Sequence, residues 1–89
     1  MAQVNTYVRL TGSGQVIAGP GVLADMYVSS TSSGTVKLYD YLSATGNVIN
    51  NTITPAIGYH NLGNRNCLVG CYCATTGTID VTFGVKLND

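Results

Sequence analysis

The chain has 89 residues, enough for one small hydrophobic core and no second domain. Hydrophobic residues make up 45% of it and charged residues only 9%, with four Lys and Arg offsetting four Asp, so its surface must be covered largely by Thr, Ser, Asn and Gly. This balance argues against nucleic acid as a partner, because phosphate recognition needs clustered cations and Arg9, Lys37, Arg65 and Lys86 lie far apart.

The opening residues, Met1 to Arg9, hold neither a basic segment nor an apolar run, and Ala2 does not fit an N-myristoylation motif. No apolar stretch approaches the ~18 residues of a membrane-spanning helix. Synthesis in the cytosol without membrane insertion is therefore expected. Thr6 to Leu10 predicts a first strand and Gln15 to Ala18 a short second one, parted by Gly12-Ser13-Gly14. Gly19-Pro20-Gly21 predicts a sharp corner, because proline sets φ and the flanking glycines accept conformations closed to other residues. In the strand that follows, Ala24, Met26 and Val28 oppose Leu23, Asp25 and Tyr27.

Thr31-Ser32-Ser33-Gly34 and Ala74-Thr75-Thr76-Gly77 predict four-residue turns that close adjacent antiparallel hairpins. Between them, Val36 and Leu38 are expected to face the core while Lys37 and Tyr39 face outward. Val48 to Thr54 predicts a strand with Ile49 and Ile53 on one face, ended by Pro55, which has no ladder donor. Pro55 to Asn66 is longer and less periodic and predicts a crossover or exposed loop. Cys67 to Cys73 predicts another strand. The last carries the clearest period of two, with Ile79, Val81, Phe83 and Val85 alternating with Asp80, Thr82, Gly84 and Lys86. Seven or eight short strands with no helix predict an all-β single domain over residues 1–89, a small antiparallel β-sandwich of jelly-roll-like or Greek-key type.

Candidate chemistry is sparse. Cys67, Cys71 and Cys73 share a parity, with His60 seven residues upstream of Cys67, but zinc sites place ligand pairs around tight turns rather than along one extended face. Burial as small core hydrophobes is the expected role, with a disulfide the alternative and one cysteine always left over. There is no Glu, and the four Asp are isolated, so paired-carboxylate chemistry has no local basis. His60 as a base for Cys67 lacks a third group or oxyanion donors in the sequence. The expectation is a protein that is not an enzyme and has no catalytic residues, cofactor or metal. Six tyrosines against one Phe and no Trp point to recognition, since tyrosine offers a rigid apolar ring with a polar tip. Tyr39 and Tyr41, expected on one outward face, and Tyr59 are the candidate partner contacts.

The segments Gly19-Pro20-Gly21-Val22-Leu23, Gly34-Thr35-Val36-Lys37-Leu38-Tyr39-Asp40, Gly46-Asn47-Val48-Ile49 and Gly77-Thr78-Ile79-Asp80-Val81-Thr82-Phe83 resemble a group of short phage structural proteins across most of the chain. Members share a GPGVL corner, a GTVxLYD strand and a GTxDVTxxV strand, while the cysteine-rich segment lies outside the pattern. The resemblance implies a virion component of the capsid cement or decoration type. Such a subunit sits on the exterior of the head, binds the major capsid protein and stabilises contacts between coat subunits. A homo-oligomer is expected, with a trimer favoured and a dimer the alternative. A tail, neck or fibre module, structural or glycan-binding, is the competing expectation.

Overall fold

A computed structural model describes residues 3–88 of the chain. Met1, Ala2 and Asp89, which entered the reading of targeting signals and charge above, lie outside the described residues. The protein is all-β, as its sequence predicts, and the strands are β1 (Gln3–Leu10), β2 (Gly14–Ile17), β3 (Gly21–Asp40), β4 (Asn47–Ile53), β5 (Gly58–Cys67) and β6 (Cys71–Asn88). All pairings are antiparallel and belong to one hydrogen-bonded sheet.

Two long strands organise this sheet. A straight β3 of 20 residues would run roughly 66 Å at ~3.3 Å per residue, yet the longest dimension of the molecule is 40 Å, so the strand must bend. It bends together with β6, its partner along nearly its whole length, at a shared irregularity between Ser32 and Thr35 of β3 and between Thr76 and Thr78 of β6. On one side of this crease, layer A has the order β1, β6, β3, β5; on the other, layer B has the order β2, β6, β3, β4. The residues that alternate inward, Leu23, Met26, Val28, Ile79, Val81, Phe83 and Val85 from layer A and Val36, Leu38, Cys71, Cys73, Val16 and Ile17 from layer B, form one buried cluster. Only the opposite layer is available to cover them, so the creased sheet is a two-layer sandwich with its core between the layers.

The crease has its own chemistry. Ser33 and Gly77 adopt positive φ, at 56° and 69°. A Cβ on Gly77 would stand 2.5 Å from the Ser33 carbonyl oxygen, so no side chain fits there. The Gly34 amide donates to Thr31 Oγ1 at 3.0 Å, and Thr35 and Thr76 join their hydroxyls across the bend. Ser13, between β1 and β2, accepts a hydrogen bond from the Thr75 amide at 2.8 Å and stitches that crossing to β6. The two predicted hairpin turns, Thr31 to Gly34 and Ala74 to Gly77, are therefore the facing halves of one crease. The strands continue on both sides, which leaves six strands in place of seven or eight.

Other expectations are corrected in detail. Pro55 to Asn66 is no loop: β5 occupies most of it and pairs with β3 from Val28 back to Gly21. The expected Cys67 to Cys73 strand is broken at 68–70, so that Cys67 ends β5 and Cys71 begins β6. A bulge between Leu23 and Asp25 shifts the parity of β3, placing Leu23 inward with Met26 and Val28 while Asp25 and Tyr27 turn out. Ile49 packs against the core, but Ile53 is exposed.

Candidate partner interface

At the end of the sandwich away from the crease, three connections come together. Residues 18–20 cross from layer B to layer A, 68–70 cross from A to B, and 41–46 close the β3–β4 hairpin. Asp40, the last residue of β3, ties two of them to each other. Its Oδ2 accepts from the Leu68 amide at 3.1 Å, and its Oδ1 accepts from the amides of Val69 and Gly70 at 2.9 and 3.4 Å. Burial opposes the charge on Asp40, but these three amide donors outweigh it and hold the carboxyl below its ordinary pKa. Leu42 packs on the bare Cα of Gly70.

The result is a clamped tip with apolar side chains facing solvent. Leu68 is 77% exposed, and Val69, Leu42, Tyr41 and Val48 are all well exposed. Sequence reasoning found Tyr41 here but missed the rest. Leu68 and Val69 read as members of a strand, with Val69 on the face of the cysteines, and the break between Cys67 and Cys71 takes both out of it.

Tyr39 stands in β3, whereas Tyr41 lies beyond the end of that strand at Asp40, in the hairpin loop. Tyr39 is half-buried on the outside of layer B, with the Lys37 ammonium 5.2 Å from its ring centroid. Tyr59 lies elsewhere, on the outer face of layer A. There it joins Tyr7 and Tyr27, which the sequence reading did not single out; the three are 62%, 73% and 50% exposed. Register explains the grouping: Tyr59 is opposite Tyr27 across β5 and β3, and Tyr7 is opposite Gly84 across β1 and β6. Gly84 has no side chain because Asp25 fills the space above it; a Cβ there would stand 2.2 Å from Asp25 Oδ1. Tyr59 Oη lies 3.5 Å from Asp25 Oδ2, and Asp25, Gly84, Thr6 and Lys86 line a shallow depression of about 240 Å³. On the same layer, Arg9 donates twice to Asp80, at 2.9 and 2.7 Å, and holds its carboxyl below the ordinary range.

The other candidates are dispersed. His60 lies on β5, its Nε2 bonded to the Ala56 carbonyl at 2.8 Å, and the three cysteines are free and buried in the core. Among the described residues, no group of three His, Cys, Asp or Glu side chains is placed to hold a metal ion. No helix among them is long and apolar enough to cross a membrane. Comparison with protein-family models, with curated proteins and with solved structures finds no match to this chain.

Proposed function

We propose that the chain is a structural virion protein, a cement or decoration subunit that seats its apolar tip on the outer surface of a phage head and ties neighbouring major capsid subunits together. The observation that carries this reading is the clamped tip, where Tyr41, Leu42, Leu68 and Val69 stand in solvent on loops joined through Asp40. Exposed apolar groups mark interaction sites, and a patch already held in place loses little entropy on docking. The resemblance carried by the GPGVL, GTVxLYD and GTxDVTxxV segments supports the virion setting.

Self-association belongs to the same reading, with a trimer favoured over a dimer. Among the described residues, β1, β2, β4 and β5 each leave an outer edge unpaired within the chain, and closed symmetry is a common way to cover such edges. An oligomer also presents several tips at once and gains avidity without any strong single contact. The test uses purified heads stripped of the protein. Wild-type chain is expected to bind to saturation, and a Leu68→Asp, Val69→Asp double variant to bind at least about tenfold more weakly, since each lost apolar burial is worth roughly 1.5–3 kcal/mol. Because both side chains are exposed, its unfolding midpoint should stay near that of the wild type. Equal binding by the two proteins rejects the tip.

The Tyr7, Tyr27 and Tyr59 cluster around Asp25 favours a second reading, a tail, neck or fibre module that stacks sugar rings on tyrosines beside a hydrogen-bonding carboxylate. Binding to a host surface glycan that is lost in Tyr27→Ala, by a protein carried on the tail, would favour it over the cement role.

A further inference from the structure

At the end of the sandwich opposite the crease, two strand ends from different layers meet. Cys67 closes β5 opposite Gly21 in layer A, Cys71 opens β6 opposite Ile17 in layer B, and only residues 68–70 separate them. The two layers are close at this level: a Cβ on Gly21 would stand 3.2 Å from Ile17 Cγ2, and one on Gly70 would stand 2.7 Å from the Ile17 carbonyl oxygen. Both residues belong to the one buried cluster between the layers. Cys67 is 2% exposed and Cys71 fully buried, and the two thiols are close enough neighbours to perturb each other's ionisation. Cys73 also faces inward, but it pairs with Gly14 and Leu38, a step nearer the crease.

We propose that Cys67 and Cys71 are a redox dithiol that closes to an intrachain disulfide across the 68–70 bridge when the protein meets a low-molecular-weight disulfide. The structure holds the reduced state, with all three cysteines free. In the first step, the Cys67 thiolate attacks one sulfur of glutathione disulfide. A bond forms between Cys67 and that glutathione, the glutathione S–S bond breaks, and the released thiolate takes up a proton. Cys71 then gives its proton to water, its sulfur attacks that of Cys67, and the second glutathione leaves and is protonated. Two electrons pass from the cysteine pair to the oxidant, and two glutathione thiols are formed.

The roles follow from the surroundings. Cys67 ends β5 directly beside the exposed Leu68, and the neighbouring Cys71 thiol lowers its pKa against the opposing effect of burial, so Cys67 is the attacking group. The neighbouring Cys67 thiol, with burial, pushes Cys71 up. Burial alone pushes Cys73 up to about 12, so Cys73 is the inert member. Access to the pair requires the 68–70 bridge to lift, and that bridge is held by the three amide bonds to Asp40. The disulfide would join layers A and B covalently beneath Leu68 and Val69. Its formation does not depend on the function proposed above.

The test treats folded protein with oxidised glutathione, then unfolds it in denaturant without reductant, alkylates the remaining thiols and maps the products after chymotryptic cleavage at Leu68. Alkylation is expected to fall from three cysteines per chain to one, Cys73, with the Cys67 and Cys71 fragments held together until reduced. Cys73→Ser should still form the link, Cys71→Ser should stop at the mixed disulfide with glutathione, and Asp40→Asn should react faster than the wild type. Three alkylated cysteines in both wild type and Asp40→Asn after prolonged exposure would overturn the proposal. A link through Cys73 or between chains would do the same.

Discussion

Gly77 is where a single atom decides the fold. Its φ of 69° lies in the left-handed region, and the Ser33 carbonyl oxygen occupies the place a side chain would need. Gly77→Ala is expected to destabilise the protein by about 2–4 kcal/mol, combining the left-handed backbone penalty with overpacking against a backbone atom. Gly12 has nothing within 4 Å of a notional Cβ and no positive φ, so Gly12→Ala should shift stability by no more than about 0.5 kcal/mol. Urea unfolding of the two variants beside the wild type checks both values, and equal losses would mean that the crease is not held as described. The sequence marks Gly77 as a turn glycine but does not show that the turn belongs to a bent strand. A hairpin turn and a crease draw on the same residues for the same conformational reason. What distinguishes them is the matching irregularity in β3, more than forty positions away in the chain.

Among the elements, those whose side chains alternate cleanly were the most legible. In the second half of β6, Ile79, Val81, Phe83 and Val85 are buried and alternate as their spacing predicts, and Val36 and Leu38 of β3 face the core as expected. β5 was not legible because its sequence, GYHNLGNRNC, is rich in Gly and Asn and sends little into the core. It is a strand at the side of layer A, interrupted by Gly63 and Asn64 at positive φ, with Asn61 Oδ1 accepting from the Gly63 amide. Such a strand is held by its ladder to β3, and a ladder leaves no period in the side chains. The candidate interface was legible only in part for a related reason. Tyr41 was found from composition, whereas Leu68 and Val69 owe their exposure to a three-residue bridge clamped by Asp40.

That clamp makes an expected pH response specific. Asp40 has a lowered pKa in the folded state, so its stabilising contribution is fully present above the ordinary carboxyl pKa of roughly 4 and is lost as pH falls through the lowered value. The wild-type unfolding midpoint should therefore fall below about pH 4. Asp40→Asn, lacking the charge, should start lower at pH 7 and lose less on acidification. Asp80 is lowered in the same direction by Arg9, but that pair is exposed and screened by solvent, so the Asp40 variant should remove the larger share of the acid response. Identical acid curves for variant and wild type would show that the amide clamp contributes nothing to stability.

At the scale of the whole molecule, the arrangement is economical: four lines of strand, each crossing the crease, enclose one core in 89 residues. The segments on which the expected resemblance rests fall largely on this frame. Gly34 and Gly77 form the crease, Gly19 to Gly21 lead the chain from layer B to layer A, and Asp40 secures the tip. These segments build the sandwich, while exposed groups such as Leu68, Val69, Tyr7 and Tyr59 lie outside them. Location tests the account most directly. The decisive measurement is the copy number of this chain relative to the major shell protein in purified virions, by quantitative mass spectrometry. The account predicts a ratio near that of a subunit covering the shell; a handful of copies per particle would contradict the cement role, and absence from the particle would contradict the virion assignment altogether.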